Sequence, residues 1–393
     1  MAQSSSSPMN RVLRSDLIGC GKEDLPTPAL LIDMDLLERN IATMSRYVHS
    51  KGIQLRPHAK SHKCPEIARR QLAAGAVGVC AATITEAEAL AAAGISGILI
   101  TSEMVGRNRI ERLVRLTATQ PDTLSVVDNP VHARQLSDSA VAAGVPLNVL
   151  LDLDPGLHRT GILPSENAFA LAQLLMQLPN LRLRGVQCYS GNTAHVVGYE
   201  ARRAHSEQAM SPALEFFSRL QRNGFPVEIM TGGSTGTYNI DSEFPGMTEL
   251  QVGSYVFMDI EYRDIGGERG AIYDDFVHSL TVLATVISRS HDGLATVDAG
   301  LKAFATDRAF GPEVKDLQGV EYRFAGDEHG FLLLHNPSRP VALGDKLEFL
   351  VPHCDPTVNL YDQVFCLRGN YVEAVWPIAR GYAYRDATAR CGV

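Results

Sequence analysis

Short apolar runs alternate with longer amphipathic stretches over the first two thirds of the chain. Ala29–Asp33 fits a buried strand, and Met34–Lys51 repeats apolar residues at helical spacing before Gly52 ends it. Further strand candidates follow at 54–56, 77–81, 97–101, 124–127, 147–152, 184–187, 228–231 and 249–252. Strands that alternate with helices predict right-handed crossovers and a parallel sheet. We expect an α/β fold, a (β/α)8 barrel, because a barrel accounts for this number of strands more simply than an open sheet does.

The pattern changes after Tyr262. Strand-like, β-branched runs at 277–287, 294–298, 331–335, 346–351, 364–367 and 371–376 are separated by Gly, Asp, Asn and Pro instead of helices. We therefore predict a barrel at 26–265 and a second, smaller C-terminal β domain at 266–393. Residues 1–25 form an N-terminal tail, whose segment 17–25 is a candidate for packing on the β domain.

Composition narrows the possible partners and the location. The chain has 36 basic and 44 acidic residues and a net charge of −8, which disfavours binding to nucleic acid or to anionic membranes. The seven cysteines are widely spaced and form no C-x-x-C pair, which indicates free thiols in a reducing compartment. No run is apolar enough to span a bilayer. We expect a cytoplasmic protein with a disordered Ser-rich tail from Met1 to Arg14, and an organellar transit peptide is the alternative for that tail.

The densest polar cluster follows the strand candidate at 54–56. It reads RPHAKSHK and includes His58, Lys60 and Lys63. Barrel enzymes carry their active sites at the C-terminal ends of their strands. So many basic groups repel one another unless some are neutral or matched to an anion. A lysine whose pKa is depressed in this way is the form that makes Schiff bases, and a solvated basic turn is the alternative interpretation.

Two glycine-rich loops follow the last two strand candidates of the barrel. They read TGGSTGT at 231–237 and QVGSY at 251–255. Backbone N–H groups and hydroxyls in such loops bind phosphate, and the loops after strands seven and eight are the usual phosphate site of a barrel. An ordinary glycine turn is the alternative for each loop.

Three further segments carry candidate side chains. The loops at 152–161 and 189–195 follow predicted strands, and they would bring Arg159, Tyr189 and His195 to the barrel mouth. In the β domain, an extended backbone would point His353 and Asp355 the same way. An imidazole with a carboxylate suits Mn, Mg or Zn, and an Asp-Pro turn is the alternative for this segment.

These segments belong to a set of runs that extends over nearly the whole chain. The runs are PHAK with HKCP, GG with TG, ELQ with GSY, DAGLK, EHG, and H-x-DPT. In this order they resemble the D-threonine aldolase and D-serine dehydratase family of pyridoxal-phosphate enzymes, whose barrel is similar to that of alanine racemase. Ser234 stands where a third glycine is more usual, and residues 190–194 also depart from the commonest family pattern.

The resemblance implies roles for individual residues. Lys60 is expected to hold the pyridoxal as a Schiff base, Arg159 to face the cofactor, and Tyr189 to pack near its ring. The phosphate is expected on a set of residues from the two glycine-rich loops, and Tyr262 is a further expected cofactor contact. The phosphate set is Thr231, Gly233, Gly253 and Ser254.

The implied activity is a retro-aldol cleavage of a D-threonine-type amino acid to glycine and an aldehyde. His195 is the candidate base for the substrate hydroxyl, with His58 in reserve. His353 and Asp355 would bind Mn or Mg rather than Zn, because relatives that dehydrate D-serine tend to show His-x-Cys. Dehydration of D-serine or 3-hydroxy-D-aspartate is the alternative reaction, and a non-catalytic pyridoxal-phosphate carrier is the alternative from another class. The resemblance also implies a head-to-tail homodimer that places the β domain of one chain over the barrel mouth of the other.

Overall fold

The computed structural model describes residues 13–381, so the prediction for Met1 to Arg14 lies almost wholly outside the described residues. The strands are β1 (Ala29–Asp33), β2 (Gln54–Leu55), β3 (Val79–Ala81), β4 (Ile98–Ile100), β5 (Leu124–Val127), β6 (Leu147–Leu153), β7 (Leu181–Cys188), β8 (Ile229–Gly232), β9 (Glu249–Leu250), β10 (Leu280–His291), β11 (Leu294–Val297), β12 (Glu313–Val314), β13 (Val320–Phe324), β14 (Gly330–Leu334), β15 (Lys346–Leu350), β16 (Gln363–Arg368) and β17 (Tyr371–Pro377). The helices are α1 (Met34–Lys51), α2 (Pro65–Ala73), α3 (Ile84–Ala92), α4 (Arg107–Thr119), α5 (Pro130–Ala143), α6 (Glu166–Gln177), α7 (Tyr199–Arg222), α8 (Tyr238–Asp241), α9 (Ile260–Arg263) and α10 (Cys354–Val358). None of these helices is long and apolar enough to cross a membrane.

Strands β2 to β9 form one parallel sheet in the order β2-β9-β8-β7-β6-β5-β4-β3. The sheet curls until its two end strands meet. Val77 N–H donates to Leu55 O at 2.9 Å, and Cys80 N–H donates to Pro57 O at 2.8 Å. The predicted (β/α)8 barrel is therefore confirmed, and residues 38–277 form a compact unit around it.

Burial explains why the barrel strands are continuous apolar runs. All seven residues of β6 are buried. Leu124 and Val126 of β5 belong to one core cluster with Leu150 of β6. Parallel strands are covered on both faces, by the barrel interior on one side and by the helices on the other.

The crossover helix α5 shows the local signals that stop and start each helix. The Asn129 side chain accepts a hydrogen bond from Val131 N–H at 2.8 Å, and Pro130 occupies the first helical turn. Gly144 ends the helix in the left-handed conformation, with φ of 65°. Asn, Pro and Gly are typical of these positions because they satisfy or tolerate the unpaired ends of a helix.

The second unit is a mainly antiparallel β structure built from residues 13–37 and 278–380. Its sheet runs β13-β14-β11-β10-β1-β16-β17, with β15 paired to β10 and β12. The N-terminal segment belongs to it, because Gly19 N–H donates to Val372 O at 2.8 Å. Leu25 is fully buried in a cluster with Phe365 and Val375, against which Leu17 packs.

The assignment of Ala29–Asp33 to the barrel is wrong. The strand pairs antiparallel with β10, with Ala29 opposite Leu283, and parallel with β16. The barrel unit consequently begins at residue 38 rather than 26, and it continues to 277 rather than 265. A strand buried on both faces reads the same in either sheet, so its apolar pattern does not identify its partners.

A buried ion pair joins the end of β2 to β9. Arg56 Nε lies 2.9 Å from Glu249 Oε2, and Arg56 NH2 lies 2.8 Å from Glu249 Oε1. Arg56 NH1 also donates to Gly97 O. The Arg56 and Glu249 side chains are only 8% and 7% exposed, so loss of either would leave the other charge buried without its partner.

Replacing Glu249 with Ala is expected to lower the free energy of unfolding by about 3–5 kcal/mol, because Arg56 would keep its burial and lose its counterion. Glu228→Ala is the matched control. It breaks the exposed pair Arg184–Glu228, also between neighbouring barrel strands, and should cost less than about 1 kcal/mol. Urea unfolding followed by circular dichroism measures both, and equal costs would contradict the importance of the buried pair.

Candidate active site

A cavity of about 310 Å³ opens at the C-terminal ends of the barrel strands. Its walls come from residues at or after the ends of seven of the eight strands, all but β5. The volume lies within the range of small-molecule sites. The side chains that the chain presents at this end of the barrel therefore converge on one space, as barrel topology requires.

Lys60 lines this cavity from a short 3-10 helix, Ala59–Ser61, directly after β2. The neighbouring Lys63 has a positive φ of 48°, and its Nζ lies 3.2 Å from Glu86 Oε1. Both side chains of that pair are largely buried. The repulsion within the basic cluster is thus offset by carboxylates that are distant in sequence. Glu249 pairs with Arg56, and Glu86 pairs with Lys63.

His58 is held by hydrogen bonds on both ring nitrogens. Its Nδ1 accepts from Lys60 N–H at 3.3 Å, and its Nε2 lies 3.1 Å from Thr101 Oγ1. The Thr101 hydroxyl can donate onward to Ala81 O at 3.3 Å. Because Nδ1 is an acceptor, Nε2 carries the proton and donates to Thr101. His58 is therefore held by hydrogen bonds at both ring nitrogens, one of them from the backbone of Lys60.

The loops after β8 and β9 form a polar wall opposite Lys60. Ser234, Thr235, Gly253 and Ser254 line the cavity. Ser234 N–H donates to Thr237 Oγ1 at 3.1 Å, and Thr237 Oγ1 donates to Asp241 Oδ2 at 2.6 Å. Burial raises the pKa of Asp241 to about 6. This chain of hydrogen bonds fixes the first loop, as Ser and Thr commonly do next to a turn.

The two loops are also tied to each other and to the Lys60 segment. Tyr255 N–H donates to Thr235 Oγ1 at 3.0 Å. A Cβ at Gly253 would lie 2.5 Å from Ser61 Oγ, so only glycine allows this close approach.

Several predicted cofactor contacts line the cavity and others do not. Those that line it are His58, Lys60, Arg159, Tyr189, Gly253, Ser254 and Tyr262. Thr231 lies behind the wall, where its Oγ1 accepts from Gln251 Nε2 at 3.1 Å. Gly233, with φ of 77°, packs against Leu250 and Asp241. The residues of that loop that line the cavity are Ser234 and Thr235, whereas Thr231 and Gly233 do not line it.

Arg159 and Tyr189 face each other in the cavity wall. The guanidinium carbon lies 5.4 Å from the centre of the Tyr189 ring, a cation–π arrangement. The loop that carries Arg159 is fixed by Asp154, whose Oδ1 accepts from Gly156 N–H at 2.9 Å and from His158 N–H at 3.0 Å. Asp154 therefore orients the loop through the backbone.

A polar network beneath the cavity was not predicted. Gln187 Nε2 donates to Asp152 Oδ1 at 2.8 Å, and Gln251 Nε2 donates to Gln187 Oε1 at 3.2 Å. Thr160 Oγ1 donates to Asp152 Oδ2 at 3.1 Å. Burial, with nearby Glu103, raises the pKa of Asp152 well above its usual range. Both glutamines line the cavity, and they lie 64 positions apart in the sequence, so no local pattern links them.

His195 lies beside the cavity. Its Nδ1 is 3.3 Å from Glu261 Oε1, and its ring centre is 4.7 Å from that of Tyr262, which lines the cavity. Glu261 is another residue that the sequence analysis did not identify. Glu261 and Tyr262 are adjacent on α9, so this one helix contacts the imidazole through both.

His353 and Asp355 belong to the β unit. The premise of an extended segment is wrong, because His353 is extended but Cys354–Val358 is a helix. His353 Nδ1 lies 2.8 Å from Asp307 Oδ2, a partner that the sequence did not reveal. Among residues 13–381, no group of three or more His, Cys, Asp or Glu side chains is placed to hold a metal.

The residues present fit pyridoxal phosphate. Ser61 Oγ is buried at the cavity wall and has no hydrogen-bond partner among the described residues. The backbone N–H groups of Thr235 and Gly253 also make no hydrogen bond within this part of the chain. Unused donors, a glycine that allows close approach and a cavity-lining lysine suit a phosphate and a carbonyl at the two ends of one ligand.

His353 and Asp355 offer an imidazole nitrogen and a carboxylate oxygen, which are donor types that divalent metals accept. With Nδ1 hydrogen bonded to a carboxylate, the imidazole keeps Nε2 for a metal, the arrangement that carboxylates commonly impose on ligating histidines. Nitrogen plus hard oxygen suits Mn or Mg better than a thiolate-selecting metal.

Two family models match the chain and together span most of it. The model described as alanine racemase, N-terminal domain, matches residues 32–261, and the model described as putative serine dehydratase domain matches residues 279–367. The boundary between the two matches falls close to the division between the two structural units at residue 277.

Relatives of known activity match over nearly their full length. A 3-hydroxy-D-aspartate aldolase from Paracoccus denitrificans (strain Pd 1222) is 36% identical over 94% of this chain and 95% of the relative. A D-threo-3-hydroxyaspartate dehydratase from Delftia sp. (strain HT23) is 34% identical over 91% of this chain and 98% of the relative. A metal-free variant of such a dehydratase, with alanine in place of a cysteine, has a TM-score of 0.83 at 30% identity and covers 92% of this chain and 100% of the variant.

The crystal structure of D-threonine aldolase from Filomicrobium marinum is 38% identical and has a TM-score of 0.88, covering 92% of this chain and 97% of the other. The fold, the lysine-bearing cavity at the barrel mouth and the two family matches agree with one another. The chain therefore belongs to the D-threonine aldolase and D-serine dehydratase family of pyridoxal-phosphate enzymes, and it is a lyase built on an alanine racemase-like barrel.

Proposed function

We propose that the protein is a metal-dependent aldolase that cleaves D-β-hydroxy-α-amino acids of the D-threonine type to glycine and an aldehyde. The observation that carries this proposal is the carboxylate at position 355, two residues after His353. In a dehydratase of the same family, replacing a cysteine with alanine is associated with a metal-free form. An oxygen donor in place of a thiolate favours a metal that binds and acidifies a hydroxyl group.

The barrel cavity would hold the cofactor at both ends. Lys60 would bind its carbonyl carbon, and the N–H groups of Thr235 and Gly253 with the Ser61 hydroxyl would bind its phosphate. Pyridoxal phosphate, when bound, supplies the electron sink for the carbon whose bond breaks. Arg159 has only donors, so in contact with the pyridine nitrogen it would keep that nitrogen unprotonated and the sink comparatively weak.

His195 is the proposed base. Its imidazole would accept the proton of the substrate β-hydroxyl while the Cα–Cβ bond breaks, and Glu261 at 3.3 Å would stabilise the imidazolium that results. The tilted contact with Tyr262 limits rotation of the ring. His58 is not proposed for this step, because both of its nitrogens are engaged.

His353 and Asp355 are the proposed metal ligands, with Mn or Mg as the preferred metal. The metal, when bound, supplies Lewis acidity toward the substrate hydroxyl. Asp307 would hold His353 in the tautomer that leaves Nε2 free to bind the metal.

Dehydration of D-serine or 3-hydroxy-D-aspartate is the second candidate. The similarity to the Delftia dehydratase is nearly as high as that to the aldolase from Paracoccus, so identity alone does not separate the two reactions. Both reactions use the same cavity, and the metal ligand at position 355 is the feature that favours cleavage.

We also propose a cytoplasmic homodimer. The six cysteines among the described residues are all free thiols, which supports a reducing compartment. The family relationship supports a dimer in which the β unit of one chain serves the barrel of the other.

The reaction is tested by product analysis. The purified enzyme, supplied with pyridoxal phosphate and Mn, is incubated with D-threonine, D-serine and 3-hydroxy-D-aspartate. We expect glycine and acetaldehyde from D-threonine, detected by chromatography and an aldehyde reagent. Ammonia and a keto acid as the only products would establish the dehydratase instead, and no turnover of any D-amino acid would favour the non-catalytic carrier.

Lys60→Ala is expected to abolish the visible cofactor absorbance and to lower kcat about a thousandfold or more, because the Schiff-base nitrogen is lost. Lys302→Ala is the control, since Lys302 is an exposed residue paired with Glu328. Borohydride reduction followed by peptide mass spectrometry should place the cofactor on Lys60. Labelling of Lys63 with normal turnover of the Lys60 variant would contradict the assignment.

Asp355→Cys is expected to shift metal preference toward Zn and to move the ratio of products toward elimination, because thiolate selects a softer metal. Metal affinity is measured by calorimetry with Mn and Zn, and both products are measured with each metal restored. Chelation should leave the cofactor absorbance in place, since the two sets of residues lie in different units. An unchanged preference and ratio would show that Asp355 is not a ligand.

The dimer is tested by mixing two inactive variants, Lys60→Ala and His353→Ala, after mild dissociation. If the β unit serves the partner's barrel, half of the chains pair as heterodimers with one intact site, which restores about a quarter of wild-type activity. No recovery from verified mixed dimers would show that each site uses residues of a single chain.

A further inference from the structure

Arg202 is a fully buried arginine on α7 that bonds only to the backbone. Its three nitrogens donate to four carbonyl oxygens, and its side chain has no exposed surface. The bonds are Nε to Gly236 O at 2.7 Å, NH1 to Val196 O at 2.9 Å, NH1 to Ile265 O at 3.1 Å and NH2 to Gly266 O at 2.8 Å. Four of its five N–H donors are therefore used, which only a planar guanidinium allows.

This guanidinium has no carboxylate partner among residues 13–381. The rings of Tyr199 and Tyr273 lie near it, with each ring centre 5.9 Å from the guanidinium carbon. Burial lowers the pKa of Arg202. A charge buried without a counterion is costly, so the four carbonyl bonds must supply the compensation.

The four carbonyls belong to three separate segments that border the cavity. Val196 directly follows His195, and Gly236 directly follows Thr235, which lines the cavity. Ile265 and Gly266 follow α9, which carries Glu261 and Tyr262. The Arg202 side chain thus bonds to the segment after His195, to the loop after Ser234 and Thr235, and to the segment after helix α9.

A second contact joins two of these segments independently. A Cβ at Gly236 would overlap Ala194 O, so the phosphate loop packs directly on the segment of His195. This close approach requires glycine at 236 and keeps the two backbones in van der Waals contact.

We propose that Arg202 is a positioning residue that sets His195 and the Ser234–Thr235 loop relative to each other. The cofactor half of this inference needs only that the cavity binds pyridoxal phosphate, and the half concerning His195 rests on the proposed function. Arg202 touches no reacting atom and acts through the three segments it bonds.

The cofactor half is tested by titrating the apoenzyme with pyridoxal phosphate and following its absorbance. Arg202→Lys keeps the positive charge but loses the planar guanidinium that bonds to four carbonyl oxygens. We expect the Kd of this variant for the cofactor to rise about tenfold or more. The control is Arg203→Lys on the same helix, a partly exposed residue that pairs with Glu207 and Glu243, and it should change Kd by less than about twofold. A normal Kd for a folded Arg202→Lys enzyme would overturn this half.

The His195 half is tested by a double-mutant cycle at saturating cofactor. Arg202→Lys alone should lower kcat about 10- to 100-fold, because small misplacements of a catalytic group are costly. In a His195→Gln background it should lower kcat no further. Additive losses would show a general structural effect and overturn the inference. The cycle is read on whichever product the enzyme forms, so it does not depend on aldol cleavage.

Gly236→Ala provides a second route if the Arg202 variants do not fold. It forces the same two segments apart while keeping the Arg202 side chain, whose Nε bonds to Gly236 O, and it should reproduce the weaker cofactor binding. Far-ultraviolet circular dichroism of the apoenzymes verifies folding. Wild-type cofactor affinity and kcat for folded Gly236→Ala would overturn the proposed coupling. If His195→Gln itself retains full kcat, the assigned base fails while the cofactor titration still decides the role of Arg202.

Discussion

Closure of the barrel at β2, one of its two shortest strands, is the constraint on which the site depends. Strand β2 has two residues, and it pairs with β9 on one side while the residues after it meet β3 on the other. The buried pair of Arg56 and Glu249 holds this seam. Lys60 follows only a few residues later, so closure of the barrel brings its segment to the cavity. The glycine at 253 then lets the β9 loop approach Ser61 closely.

The basic cluster at residues 56–63 shows how folding gives different surroundings to side chains of similar charge. Arg56 and Lys63 are each paired with a buried or nearly buried carboxylate, and His58 is hydrogen bonded at both ring nitrogens. Lys60 is the lysine of this cluster that lines the cavity. His195 is also positioned by remote residues, because helix α9 supplies both its carboxylate neighbour Glu261 and its aromatic neighbour Tyr262. Burial and pairing therefore distribute the roles among residues that look alike in the sequence.

The backbone carries much of the organisation around the cavity. Asp154 fixes the Arg159 loop through N–H groups, and Arg202 fixes three segments through carbonyls. Side chains that bond to the backbone position whole segments, including residues they never touch. This explains how several loops from different strands can present polar groups to one small cavity.

The sequence by itself predicted the barrel, the β unit after it, and the presence of Lys60 and the two glycine-rich loops at the barrel mouth. Periodicity, glycine turns and local motifs act over short distances along the chain, so they can be read without the fold. The tertiary structure decided which sheet Ala29–Asp33 joins, since a strand buried on both faces does not record its neighbours. It also decided the partners Glu249, Glu86, Glu261 and Asp307, and the network of Gln187 and Gln251. Such partners come from remote positions, and only folding brings them within hydrogen-bonding distance. The helical turn after His353 was likewise beyond the local pattern, because an Asp-Pro pair fits an extended turn and the first turn of a helix equally well.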